Sequence, residues 1–108
     1  MTRLTAQEVS AGSRYAAQTG TALAESLHKG EEFVDAAKKT YDVMQPGPSK
    51  FWTGSNAQNF MERIRTHLSK VDKTIIDLKG ASKDQIKAIK GFVKTLTKAQ
   101  QKKIDYVY

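Results

Sequence analysis

A chain of 108 residues has room for one ordinary core. It contains no cysteine, which excludes disulfides and thiolate metal sites, and no apolar run long enough for a membrane span. Hydrophobic residues make up only 39%, and the net charge of +7 is uneven: residues 1–50 carry six basic and six acidic side chains, residues 51–108 twelve and five.

In chain order, Met1 to Glu8 lacks the apolar core of a cleavable signal peptide, so any export would use a route that does not read one. Thr5-Ala6-Gln7-Glu8 is a capping-box pattern, a hydroxyl three residues before a Glu, and opens a candidate helix. Apolar or small residues follow in steps of three and four: Val9, Gly12, Ala16, Gly20, Leu23, Leu27, Gly30, Val34, Ala37, Tyr41 and Met44. That spacing predicts one helix over about 6–44. Glu31, Glu32 and Asp35 beside Lys38 and Lys39 then read as pairs along its surface.

Gln45-Pro46-Gly47-Pro48-Ser49 stops the helix, because proline lacks the amide that would continue it. The loop over 45–54 ends in Trp52-Thr53-Gly54. Ser55-Asn56-Ala57-Gln58, a second capping pattern, opens another helix with Ala57, Phe60, Ile64, Leu68, Val71, Ile75 and Leu78 on one face. Gly80 and a third pattern, Ser82-Lys83-Asp84-Gln85, mark a break near 80. The phase nevertheless survives through Ile86, Ile89, Val93, Leu96 and Ile104, so one helix over about 55–104 is expected. At 1.5 Å per residue its length of roughly 75 Å exceeds the first helix by about ten residues, leaving 99–108 as an overhanging tail. The expected fold is all-α: one domain over 1–108, an antiparallel helix-turn-helix hairpin that completes a four-helix bundle with a partner or with itself.

The stretch Trp52-Thr53-Gly54-Ser55-Asn56-Ala57-Gln58-Asn59-Phe60 resembles the signature of the WXG-type (ESAT-six-like) family of type VII secretion proteins. Trp52, Gly54, Ala57 and Phe60 carry the resemblance, together with the central loop and the chain length. It implies a non-enzymatic hairpin that acts as carrier, chaperone or targeting partner of a secreted effector. The implied partner is another such hairpin or the helical domain of a secreted toxin, with a homodimer as the simplest case. It further implies a cytoplasmic protein before export through a type VII system. Two departures favour an accessory subunit: no acidic residue follows Tyr106 or Tyr108 as the family's export signal requires, and the second helix is strongly basic.

Lys79, Lys83, Lys87, Lys90, Lys94, Lys98 and Lys102 recur every three or four residues as one stripe. A solvated face is its plainest meaning, and an electrostatic dock for an acidic partner helix its functional one. The alternative from another class is a basic helix that binds nucleic acid or an anionic membrane surface. The stripe holds no arginine, so no specific nucleic-acid partner is expected. Candidate partner-binding residues are Lys83, Lys87, Lys90, Lys94 and Lys98, with Tyr15, Phe33, Met61, Ile76, Tyr106 and Tyr108. His28 and His67 fall on opposing arms without carboxylates to complete a ligand set, and no phosphate loop or nucleophile–base pattern occurs. No enzyme, cofactor or metal is expected.

Overall fold

Thr5 begins α1 (Ala6–Thr19) as the sequence predicts, with its hydroxyl accepting from the Glu8 amide at 3.1 Å and Glu8 Oε1 accepting from the Thr5 amide at 2.8 Å. Gly20, at φ 79°, then ends the helix in the left-handed conformation that glycine adopts without strain. The computed structural model describes residues 4–27 and 30–108. Among these, α1 is followed by β1 (Ala24–Glu25), β2 (Phe33–Val34) and β3 (Thr40–Met44). Next come a 3-10 turn over Ser49–Phe51, α2 (Gly54–Leu68), β4 (Lys73–Asp77), α3 (Lys83–Val93), α4 (Lys98–Lys102) and β5 (Ile104–Val107).

The strands form one sheet in the order β1-β2-β3-β4-β5. β1, β2 and β3 are antiparallel neighbours, whereas β3, β4 and β5 run parallel. Parallel neighbours need helical crossovers, and α2 and then α3 supply them. Helices cover both faces. Val43, Ile75 and Val107 point to the α1 side, where Ala11 and Tyr15 meet Phe33 and Tyr41. Met44, Ile76 and Ile104 point to the other, where Phe60, Ile64 and Leu68 of α2 meet Ile89 and Val93 of α3.

The all-α hairpin is therefore incorrect, and the reason lies in individual residues. Steps of three and four also fit a chain that turns repeatedly. Asp35 closes the β2–β3 hairpin, its Oδ1 accepting from the amides of Ala37 and Lys39 while Lys38 takes φ 71°. The Glu31-Glu32-Asp35 and Lys38-Lys39 groups are thus not surface pairs of a helix. Thr74-Ile75-Ile76 is a β-branched run whose stiff side chains favour a strand, and it breaks the supposed second helix well before Gly80.

The 99–108 segment is no overhanging tail. α4 has its own capping box, Thr97 with Gln100, and β5 pairs with β4 and buries Ile104 and Val107. The Ser82–Gln85 box caps α3 as expected. Ser55 caps nothing: α2 starts one residue earlier, after Thr53, with no side-chain cap. Trp52 and Phe60 do pack edge to face, with ring centroids 5.7 Å apart. Gly54 is the first residue of α2, and Ala57 donates its amide to Thr53 at 2.7 Å.

Candidate functional site

α1 and the turn into β2 bring two carboxyl groups together on one wall of a cleft of about 340 Å³, lined by Leu4, Glu8, Gly30, Glu31, Glu32, Asp42, His67 and Lys70. The capping box fixes Glu8 in the first turn of α1. Glu32 is held by the backbone, its Oε1 accepting from the Val43 amide at 3.0 Å, and its own amide donates to Asp42 Oδ1 at 3.1 Å. The Glu8 and Glu32 carboxyls are close enough to perturb each other's ionisation.

Burial pushes the Glu32 carboxyl up to about 8, which favours its protonated form near neutral pH, and nearby Glu8 pushes in the same direction. Glu8 moves the other way, held below its ordinary value chiefly by its neighbour Glu32. Glu32 Oε2 is buried and has no ordinary donor against it, so the pair is set for proton sharing or for an incoming donor.

Asp42 lies in the middle of β3 and is buried, 3% exposed, with Oδ2 2.7 Å from Nδ1 of His67 in the last turn of α2. Tying one ring nitrogen to a carboxylate orients the imidazole and selects which nitrogen is left for proton transfer. Lys70, two residues beyond α2, completes the wall. The cleft thus combines a carboxyl that burial biases toward its protonated form, an oriented imidazole and a lysine. Among the described residues, no group of three or more His, Asp or Glu is arranged to hold a metal ion.

None of these residues was among the sequence-derived candidates. His67 was paired with His28, which lies outside the described residues, and the carboxylate expected to be missing beside His67 is Asp42. The available signal was faint: Asp42 is an acid inside a β-branched and aromatic run, the setting of a buried strand.

The candidate residues scatter. Tyr15, Phe33 and Ile76 are buried in the chain's own core at 4%, 5% and 0% exposure, because they face the sheet interior rather than a partner. Met61 packs partly against the α2–α3 core. The lysine stripe is not one helical face. Lys83, Lys87 and Lys90 lie on α3, Lys94 caps that helix, and Lys98 and Lys102 belong to α4 after a turn. Lys90 stands apart with Tyr106 and Tyr108: its Nζ is 5.1 and 5.3 Å from their ring centroids and donates to the Tyr108 hydroxyl at 2.7 Å.

The sheet, with α1 on one face and crossover helices on the other, defines a mixed α/β protein with a polar cleft near the hairpin. No protein-family model and no curated protein sequence matches the chain. Its fold is similar to that of a chain in a solved structure described as the CdiA-CT toxin from Burkholderia pseudomallei E479 in complex with the cognate CdiI immunity protein. The TM-score is 0.77 at 18% identity, over 93% of this chain and 97% of that one. The likeness is one of fold. With the mixed sheet it overturns the WXG-type resemblance, the type VII carrier or targeting role and the four-helix bundle built on it. The rival role, nucleic-acid or membrane binding through a lysine stripe on a long second helix, falls with that helix. No helix among the described residues is long and apolar enough to cross a membrane.

Proposed function

We propose that the chain is the toxin-type half of a toxin–immunity pair, an enzyme that breaks phosphodiester bonds of nucleic acid in the Glu8–Glu32–Asp42–His67 cleft. The observation that carries this is the convergence of Glu8, Glu32 and Lys70 with the His67–Asp42 pair in one cleft. Titratable groups crowded into a partly buried cleft are found where proton transfer is used.

In this reading His67, oriented by Asp42, takes the proton of the attacking hydroxyl as its oxygen bonds to phosphorus. Glu32 gives its proton to the leaving oxygen as the old P–O bond breaks. The Lys70 ammonium faces the phosphate charge, and the net charge of +7 favours a polyanionic substrate.

The immunity half is the second reading, because the solved complex contains both proteins and the likeness is to one chain of it. One experiment separates the two. The chain is expressed alone from a tight promoter, and the purified protein is incubated with total RNA and with duplex DNA, with and without added Mg²⁺. Growth arrest and cleavage, both lost in His67→Ala and Glu32→Gln, are expected. Normal growth with intact RNA and DNA under all conditions overturns the enzyme reading in favour of the immunity half.

A further inference from the structure

We infer that the open edge of β5, with the groove beside it, is the docking surface for an extended acidic strand of a protein partner. This rests on the reading of the chain as one half of a protein pair, and it names where the other half sits. Among the described residues β5 is at the edge of the sheet, where it pairs with β4 alone. The carbonyls of Lys103 and Val107 accept from the amides of Thr74 and Leu78 on β4, both at 2.8 Å. Alternation along a strand then turns the backbone groups of Ile104 and Tyr106 outward. Outward amides and carbonyls in register are a template for one more strand.

The groove beside that edge, about 310 Å³, is lined by Lys90, Val93, Lys94, Gln101, Ile104 and Tyr106. Val93, Ile104 and the Tyr106 ring form an apolar floor on the α3 face of the sheet, and Lys90 and the exposed Lys94 form a cationic wall on the same face. Every second side chain of an added strand points into this groove and meets both. Lys90 is braced between the Tyr106 and Tyr108 rings, so its charge is placed before any partner arrives. Among the described residues no acidic side chain lines the groove. A strand whose groove-facing side chains include both apolar and acidic residues satisfies the edge, the floor and the wall together. A basic strand meets Lys90 and Lys94 and is repelled.

The test uses the full chain, isotopically labelled, and a short peptide in which glutamate and valine take turns at every second position with threonine between them, so that both reach the groove. Slowed exchange of the Ile104 and Tyr106 amides is expected, with binding weakened about tenfold or more by Lys90→Glu with Lys94→Glu, or by about 0.5 M salt. Tyr106→Pro, which removes an outward amide without touching the β4 ladder, should abolish the protection while the circular dichroism spectrum is kept. Equal binding of a lysine–valine peptide, indifference to charge reversal, or protection mapped to the cleft instead of β5 would each overturn the inference. Nucleic-acid cleavage by the same preparations reports on the cleft separately, so a failed peptide test and a failed cleft reading are distinguishable.

Discussion

Arg14 and Asp77, 63 residues apart, meet in a two-pronged ion pair, with Nη1 and Nη2 each 2.7 Å from a carboxylate oxygen. Asp77 also accepts from Gln45 Nε2 at 2.6 Å and the Lys79 amide at 3.1 Å, so a carboxylate that is 1% exposed is fully met. The pair fastens α1, which carries Glu8, to the end of β4.

Removing one member strands the other. Arg14→Ala is expected to cost about 3 kcal/mol in urea unfolding, and Arg14→Ala with Asp77→Leu less than the sum of the single changes. Burial raises the Asp77 carboxyl, but the Arg14 and Gln45 hydrogen bonds outweigh it and hold it below its ordinary 3.8. Its contribution is therefore present above pH 3.8 and lost as pH falls through the lower folded value. Arg14→Ala should flatten that acid limb; an unchanged limb would place the acid sensitivity elsewhere.

Glu32 gives the opposite dependence. Its folded value of about 8 stands above the ordinary 4.5, so between those values the native state binds a proton that the unfolded chain has released. Stability from this group is complete below pH 4.5 and declines as pH rises to about 8. Melting temperature measured across that window should fall for the parent chain and stay flatter for Glu32→Gln. Parallel curves would show that Glu32 does not hold the proton.

Gly12 sits where α1 crosses β2. A Cβ there would lie 2.6 Å from Cζ of Phe33, whose ring is buried. Gly12→Ala should destabilise by about 1–3 kcal/mol despite the better helix propensity of alanine. Phe33→Leu in the same chain should recover part of the loss. Additive costs would mean that the ring moves aside freely.

Val107, fully buried and paired with Asp77 across β4–β5, tests whether the last residues are a strand or a frayed end. Val107→Ala should cost about 2 kcal/mol by thermal or chemical unfolding, the price of an unfilled core site. An overhanging tail would tolerate it without loss.

Local chemistry was legible where a few adjacent residues decide the outcome. Thr5 with Glu8 and Ser82 with Gln85 cap helices as read, and Gln45 to Ser49 is a loop. The Thr97–Gln100 box is harder to read, because the apolar stepping of Val93, Leu96 and Ile104 runs straight through it. The sheet stayed hidden because its central strands are covered on both faces. Tyr41, Asp42, Val43 and Met44 are all buried, as are Thr74, Ile75, Ile76 and Asp77, so the alternation that betrays a half-exposed strand is absent. The cleft was illegible for a different reason. Glu8 was already explained as a cap, and Glu32, Asp42 and His67 meet only once the hairpin and the β3–α2 crossover are formed.

The sheet lays its strands side by side in the order in which the chain is made. A nascent chain can therefore add each strand to one already present, with no gap held open for a later arrival. Glu8, Glu32 and Asp42 can assemble once α1 and the first three strands are made, while His67 arrives with the last turn of α2 and β5 only after that. If the cleft is the catalytic centre, its acid side is built first and its imidazole later. The edge that would receive a partner forms after both.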